Sequence, residues 1–266
     1  MNNKDNFNFG LPIGLGGHFN IIPVFDENID ANETDLDQKD LPEVMPLIPL
    51  RNNVLFPDSI LPIGIGREKT IAAVKAVGEN GGFLAVVAQN DPAVEDPQQA
   101  DLFRYGVAGK VVKIIDLGED NLTILLRGYN RFALKRIVST EPYLVGEVEY
   151  CHDDMVAPRT PEIKIIMDSI KEQSITIFRS NGFDNNDNLT AIRKINNFRF
   201  LVHFVAATVQ IDTFKDRLDI LDSDTIVDRG MKLLKALTRQ TAILEIKNDI
   251  NAKTKSEIDQ QQREYY

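Results

Sequence analysis

The chain has 266 residues, of which 43% are hydrophobic, and it carries a formal net charge of −10. This apolar content can form a sizeable core, and the length suits one large domain or two ordinary ones, so wholesale disorder is excluded. The acidic total argues against general nucleic-acid binding, and the longest apolar run, residues 83–88, is far too short to span a membrane. The single cysteine, Cys151, cannot form an internal disulfide, which is typical of a protein in a reducing cytoplasm.

Residues 1–43 are predicted to form an acidic, largely flexible tail. They contain nine acidic residues against two lysines, so most of the net charge is concentrated there. The first half is rich in glycine, and the second half has too little apolar surface to offset the entropy cost of ordering. A short apolar stretch at residues 19–25 could dock on a partner or on a neighbouring molecule, and this alternative stays open.

Residues 44–152 have the pattern of a small β domain. Short apolar runs at residues 44–50, 60–65 and 83–89 are bounded by Pro, Asn, Asp or Gly, as strands are. Residues 67–77 have helical spacing and are followed by a glycine, which predicts one helix inside this region. With the later runs up to residue 150 there are about six or seven short strands, which predicts a barrel or a sandwich.

Residues 153–222 are predicted to form a helical bundle, and residues 223–266 a long helix. Thr160, Pro161 and Glu162 are typical of a helix start, with a capping hydroxyl, a proline at the first position and a carboxylate near the positive end of the dipole. The last helix is expected to begin near Asp224, with Ser223 or Asp222 as its cap. Its apolar stripe thins in the second half, which must therefore face solvent, self-associate or lead into a further domain.

No motif of an active centre is present in the sequence. There is no nucleotide-binding P-loop, no HExxH zinc motif and no GxSxG nucleophile elbow. His152 with Asp153 and Asp154 could bind a metal, but a hydrophilic loop between domains explains these residues more simply. His203 lies in an apolar helical stretch and is interpreted as a core residue. The sequence therefore predicts no catalytic residue, no cofactor site and no metal site.

Two weaker clusters remain as candidate binding sites. Phe103 and Tyr105 follow an Asp- and Pro-rich loop and could contact an unfolded peptide, although plain packing under the loop is the alternative. Six cations on neighbouring predicted strands could form a basic patch, or could simply be a solvated strand face: Lys110, Lys113, Arg127, Arg131, Lys135 and Arg136.

Specific segments resemble the N-terminal region of bacterial Lon proteases. The strongest matches are residues 46–57 (PLIPLRNNVLFP), residues 62–69 (PIGIGREK) and, at the far end, residues 261–266 (QQREYY), which are similar to the Lon segment just before the ATPase module. Shorter matches lie at residues 86–89, 101–103, 106–110 and 126–128, and at Arg131. The resemblance covers about residues 44–266, whereas the tail is longer than many Lon N-termini.

The resemblance implies an α+β fold, with a PUA-like β-barrel or sandwich followed by a helical bundle that ends in a long helix. It implies a substrate-recognition and assembly region of a cytoplasmic, ATP-dependent serine protease that forms hexamers and degrades misfolded and regulatory proteins. ATP and magnesium would belong to modules of the parent protein, so this chain is expected not to be an enzyme. Its expected partners are unfolded or damaged proteins and copies of itself, with no membrane and no nucleic acid. The alternatives are a free-standing adaptor and a PUA-like RNA-binding module.

Overall fold

A computed structural model describes residues 41–78, 81–116, 122–151, 160–182 and 186–264. Most of the predicted tail, the loop that contains His152, Asp153 and Asp154, and the final two tyrosines of the QQREYY motif lie outside these residues. Within the described residues the chain forms six strands followed by five helices, with one further helix between the second and third strands. The α+β class predicted from the sequence is confirmed, whereas the domain boundaries at residues 152 and 222 stay predictions.

The strands form one sheet that closes into a small barrel. The strands are β1 (Val44–Leu50), β2 (Ile60–Ile65), β3 (Phe83–Gln89), β4 (Leu102–Asp116), β5 (Leu122–Ser139) and β6 (Val145–Tyr150). The strand order is β2-β5-β4-β3-β1-β6, and a further pairing of β6 with β5 closes a ring of five strands. Of the two predicted architectures, the chain adopts the barrel.

The long strand β5 changes partners along its length. Its first part, from Leu122 to Arg127, pairs with β2, and its last part, from Phe132 to Ser139, pairs with β6. The register to β4 shifts between these two parts, because β5 contains a bulge there. The sheet face that lines the barrel interior therefore continues beyond the ring onto the β2-β5-β4 portion.

Two apolar clusters occupy the two sides of this sheet. The cluster inside the ring takes residues from all five of its strands, including Met45, Phe132 and Val148. The opposite side carries a second cluster that combines strand residues with helix α1 (Glu68–Val77) and with the helices of the second half. Because barrel and helices share this second cluster, burial of the sheet depends on residues far apart in the chain.

The second half is a helical bundle built on its last helix. Its members are α2 (Pro161–Ser180), α3 (Asn186–Lys194), α4 (Phe198–Thr208), α5 (Phe214–Leu221) and α6 (Ile226–Glu264). Helix α2 begins as predicted, since the Thr160 hydroxyl accepts a hydrogen bond from the Ile163 N–H at 3.4 Å. Helix α6 begins two residues later than predicted, and its capping hydroxyl belongs to Thr225, which accepts from the Asp228 N–H at 3.1 Å.

Helix α6 has 39 residues and is roughly 60 Å long. Its first half packs on α2, α4 and α5 and buries Leu233 and Leu237. From Ile243 onward the helix exposes an apolar stripe of Ile243, Ile246 and Ile250, as its thin apolar pattern predicted. No helix in the described part of the chain is both long and apolar enough to cross a membrane.

Candidate functional site

The two predicted contact residues differ in what surrounds them. Phe103 is half-buried and packs against both apolar clusters. Tyr105 is half-buried too, and the guanidinium carbons of Arg104 and Arg131 lie 5.1 and 4.7 Å from the centroid of its ring. Phe103 thus contributes to the core, whereas Tyr105 takes part in cation–π contacts. A role for either residue in substrate contact stays a prediction.

The loop that precedes them, residues 90–101, is held by side chains beneath it. The buried Gln89 donates from Nε2 to the carbonyls of Asp91 and Val94, both at 2.6 Å. Arg67 donates from Nη2 to Gln89 Oε1 at 3.0 Å and to the Val94 carbonyl at 3.1 Å, and its burial lowers the pKa of its guanidinium. Two ion pairs hold the outer part of the loop: Glu95 pairs with Arg51, just after β1, and Asp96 pairs with Lys69 of α1. The loop is therefore a preformed surface.

The predicted basic patch does not form as a unit. Arg131 is only 4% exposed and faces the helices, where it donates from Nη1 to the Leu221 carbonyl at 3.0 Å and from Nη2 to the Asp224 carbonyl at 3.4 Å. The prediction that Arg131 belongs to a surface patch is therefore wrong, because its position in β5 places it on the helix-facing side of the sheet. Arg136 forms an ion pair with Glu147, with its Nη2 2.7 Å from Glu147 Oε2.

A buried polar junction joins the barrel to the bundle; it comprises Asp58, Arg131, Arg199, His203 and Arg229. Asp58 lies between β1 and β2 with a positive φ of 60°, a conformation that Asp tolerates better than most residues. Its backbone N–H donates to the Gly128 carbonyl at 3.1 Å. Its side chain is 3% exposed, and Oδ2 lies 3.4 Å from Nη2 of Arg199 on α4, which is 12% exposed. A positive φ thus directs a carboxylate of the barrel toward the helices.

Gly128 allows the turn that carries Asp58 to approach the sheet. A Cβ at this position would lie 2.1 Å from the Phe56 carbonyl oxygen, which is closer than any side chain permits. The Gly128 N–H donates to the Ser59 carbonyl at 2.8 Å, so the turn is bonded to β5 on both sides of Asp58. Backbone geometry therefore requires Gly128, the last residue of the LRG segment at residues 126–128.

His203 occupies the centre of the junction and is fully buried. Its Nε2 lies 3.3 Å from Arg229 Nη1, and because a guanidinium can only donate, Nε2 must be the acceptor. The ring proton is then on Nδ1, which is directed toward Asp58 Oδ2 at 3.9 Å. Burial lowers the pKa of this imidazole, with the nearby arginines acting in the same direction and Asp58 opposing them. His203 is therefore neutral, as a core residue should be.

Arg229 and Arg131 donate hydrogen bonds to the backbone carbonyls at the connection between α5 and α6. Arg229 is fully buried and donates from Nε to the Ser223 carbonyl at 3.2 Å, next to the carbonyls that Arg131 contacts. Cations at a helix C-terminus interact favourably with its dipole. One arginine comes from the barrel and the other from α6, so the two modules are bonded to the same short connection.

The junction has the chemistry of a structural link and not of an active centre. Its charged and titratable groups are three arginines, a neutral imidazole and one carboxylate. The two buried serine hydroxyls beside them donate to backbone carbonyls: Ser59 Oγ to Phe56 at 2.7 Å and Ser223 Oγ to Asp219 at 2.9 Å. The described residues contain no group of three or more His, Cys, Asp or Glu side chains that could hold a metal. Cys151 is half-buried at the end of β6, and its N–H donates to the Arg131 carbonyl at 2.9 Å.

Sequence reasoning identified His203 as a core residue but missed its partners. Arg199 lies between Phe198 and Phe200, and Arg229 lies within the apolar stripe of α6. A charged residue in a stripe that is otherwise buried requires a buried partner, and that signal was present in the sequence. The identity of the partners was not, because Asp58 and Arg199 are 141 residues apart.

Comparisons with known proteins agree with this architecture. The family model of the ATP-dependent protease La (LON) substrate-binding domain matches residues 44–239, which include the barrel, the junction and the first part of α6. The chain is 34% identical over 234 residues to the Lon protease of Cytophaga hutchinsonii, covering 88% of this chain and 29% of that protein. It is 30% identical over 235 residues to the Lon protease of Flavobacterium johnsoniae, with the same two coverages.

Two solved structures show the same fold. The N-terminal domain of Mycobacterium avium complex Lon protease has a TM-score of 0.60 at 16% identity and covers 73% of this chain and 98% of that one. The Lon N-terminal domain protein of Xanthomonas campestris has a TM-score of 0.52 at 21% identity, with coverages of 72% and 97%. The chain spans less than a third of the length of the Lon proteases named above. Because the family model matches most of its length, the chain belongs to the family of the Lon protease substrate-binding domain.

Proposed function

We propose that this chain is the substrate-recognition and assembly region of an ATP-dependent Lon protease of the cytoplasm. It binds unfolded or damaged proteins and specific regulatory proteins and has no catalytic centre of its own. The observation that carries the proposal is the match of the substrate-binding family model to residues 44–239, which include both the barrel and the helical bundle. The junction supports it, because it holds these two modules in one orientation.

In the complete protein, ATP with magnesium and a serine endopeptidase centre would belong to segments other than this one. Assembly into a hexamer would present several copies of the barrel to one polypeptide, so that weak contacts add up to a useful affinity. The exposed stripe of Ile243, Ile246 and Ile250 on α6 is an apolar surface that suits such assembly. The free-standing adaptor and the RNA-binding module remain the competing functions.

Binding to an unfolded polypeptide tests the proposal directly. The probe is a fluorescently labelled model protein whose disulfides have been reduced and carboxymethylated, and its disulfide-intact native form is the control. We expect binding of the unfolded form at micromolar concentrations and little binding of the native form. Four biotinylated copies on streptavidin should bind about a hundredfold more tightly than one copy. No preference for the unfolded form in either format would overturn the proposal.

Two further measurements separate the competing functions. The purified chain should neither hydrolyse ATP nor cleave the unfolded probe, and turnover of either would contradict a purely recognising role. The gene beyond codon 266 should continue into a nucleotide-binding P-loop, whereas a stop codon there would establish the adaptor. Salt-dependent binding of RNA at micromolar concentration would favour the RNA-binding module.

A further inference from the structure

Three cations of the predicted basic patch share one face of the sheet beyond the closed ring. Strand register places Phe83 opposite Lys110 and Lys110 opposite Arg127, and it places Lys113 opposite Leu125. Residues paired across neighbouring strands point to the same side of a sheet. This side lines the barrel interior further along, where Ala108 belongs to the inner apolar cluster. Lys110, Lys113 and Arg127, together with Phe83 and Tyr129, are named the cationic face below.

The three cations differ from the other basic residues of these strands in their electrostatic surroundings. Lys135 and Arg136 have Glu149 and Glu147 within ion-pair distance. Lys110, Lys113 and Arg127 have no ion pair with any residue that the structure describes. Lys113 is exposed, and Lys110 and Arg127 are half-buried. A ligand with carboxylates could therefore pair with these three cations without breaking an ion pair between described residues of the chain.

The two aromatic rings of the cationic face make cation–π contacts with two of its cations. The Lys110 ammonium lies 5.1 Å from the centroid of Phe83, and the Arg127 guanidinium carbon lies 5.4 Å from the centroid of Tyr129. The two rings meet edge to face, with centroids 5.5 Å apart and an interplanar angle of 84°. Each ring thus has a cation over it, which leaves less aromatic surface free for stacking.

Apolar side chains continue the cationic face on its β2 side. Ile60 is opposite Arg127 and Pro62 is opposite Leu125, so they lie on the same side of the sheet. Ile60 and Pro62 are half-buried, whereas Leu125 is only 6% exposed between Pro62 and Lys113. A bound polypeptide that crosses β4, β5 and β2 would contact both the cations and these apolar side chains within a few of its residues.

We infer that the cationic face binds polypeptide segments in which carboxylates and aliphatic or aromatic residues lie two positions apart. This inference rests on the proposed function and specifies its substrate class. In an extended segment, residues two positions apart point to the same side and lie about 6.5 Å apart. An apolar residue can therefore contact Ile60 and Pro62 while a carboxylate two positions along reaches the cations on the same side of the sheet. Unfolded proteins expose both kinds of residue, so the face selects among them by charge and not by a unique sequence.

A single-stranded nucleic acid is the competing polyanion, and the geometry favours the polypeptide. Sequence-tolerant nucleic-acid binding requires bases to stack on open aromatic faces, and here the rings carry Lys110 and Arg127. It also requires a long positive track, whereas the net charge of the chain is −10. A short peptide with carboxylates and apolar side chains needs neither open aromatic faces nor a long positive track, because it contacts only the three cations and the adjoining Ile60 and Pro62.

The test uses three labelled probes and the full 266-residue chain. The first probe is a peptide of about fifteen residues in which leucine or phenylalanine and aspartate or glutamate occupy every second position in turn, with serine between them. The second probe replaces each carboxylate by its amide, and the third is oligouridylate. The test variant carries Lys110→Glu and Arg127→Glu, with Lys110→Gln and Arg127→Gln as a milder version. The matched control reverses two exposed lysines of α6, Lys235→Glu and Lys247→Glu, which changes the net charge equally.

We expect the acidic peptide to bind about tenfold more tightly than its amide analogue at low salt, with the difference shrinking as salt is added. The variant with Lys110→Glu and Arg127→Glu should lose this preference, and the variant with Lys110→Gln and Arg127→Gln should show a smaller one. The α6 control variant should keep the preference of the parent chain. Equal binding of both peptides, or equal loss in the control, would overturn this inference even if unfolded proteins still bind. Preferential binding of oligouridylate would overturn it as well. Failure of the carboxymethylated protein to bind at all would instead count against the proposed function.

Discussion

From the buried junction we predict that the carboxylate of Asp58 contributes strongly to the stability of the protein. Replacing Asp58 by Asn keeps the size of the side chain and a residue type that tolerates positive φ, so the backbone is left undisturbed. The substitution removes only the negative charge. Arg199 then remains at 12% exposure beside an uncharged amide, and the Nδ1–H of His203 loses the carboxylate that it faces.

The size of the effect follows from distance and burial. Unit charges separated by 3.4 Å attract each other by about 5 kcal/mol at an effective dielectric constant of ~20, and desolvation offsets part of this energy. Removing one partner of a buried pair typically costs about 3–5 kcal/mol, and Asn keeps some hydrogen bonding. We therefore expect a loss of about 3 kcal/mol in the free energy of unfolding, which corresponds to a fall of roughly 6–12 °C in Tm.

Urea unfolding followed by circular dichroism measures this loss. Asp219→Asn is the matched control, because Asp219 forms an exposed pair with Lys215 one helical turn away, and its loss should cost less than about 0.5 kcal/mol. A double-mutant cycle with Arg199→Gln should give a coupling energy above about 1 kcal/mol. An Asp58→Asn protein as stable as the parent, or strictly additive single losses, would refute the reasoning that this pair joins barrel and bundle.

Three further predictions concern the helices. Because burial lowers the pKa of His203 below 6.5, the unfolded chain binds the proton more readily. The free energy of unfolding should therefore fall as pH drops from about 7 to about 5.5, and less so in His203→Gln. Gly230→Ala should cost about 1 kcal/mol in stability, because a Cβ would lie 2.5 Å from Cζ of Phe198 and this overpacking outweighs the gain in helix propensity. Thr160→Ala removes the cap of α2 and should cost about 1 kcal/mol.

Each of these predictions has its own control. The pH dependence should be measured in parent and His203→Gln under the same conditions, and identical curves would exclude His203 as the source. Gly230→Ala should become neutral or stabilising when Phe198 is first replaced by Leu, and an unchanged penalty would show that crowding is not the cause. Thr176→Ala, within the same helix, should cost less than Thr160→Ala, and an equal loss would argue against capping.

Much of the architecture could be predicted from local patterns. Strand runs bounded by turn residues, the Thr160-Pro161-Glu162 start of α2 and the thinning stripe of α6 depend on neighbours in sequence, and the structure confirms all three. The motifs at residues 46–57 and 62–69 indicated the family, which the comparison confirms. The start of α6 was less certain because Asp222, Ser223 and Thr225 can all cap a helix, and in the structure the capping hydrogen bond is made by Thr225.

The candidate site was less predictable from the sequence. The side of the sheet to which a strand residue points depends on how that strand pairs with its neighbours. The bulge in β5 changes the alternation, so that Arg131 faces the helices while Arg127 stays on the opposite side with Lys110. A shift of one residue moves a side chain to the other face, and no local pattern in residues 127–131 indicates it.

The sequence by itself determined the α+β class, the order of the elements, the family and the absence of active-centre motifs, because these depend on local periodicity and on short motifs. Only the tertiary structure decided which charges are buried and which are free to bind. Asp58 and Arg199 meet across 141 residues, and Lys110 and Arg127 share a face only because the barrel pairs their strands in one register. Burial converts the first pair into a link between modules, whereas Lys110 and Arg127 have no ion pair with any described residue and stay available to a ligand.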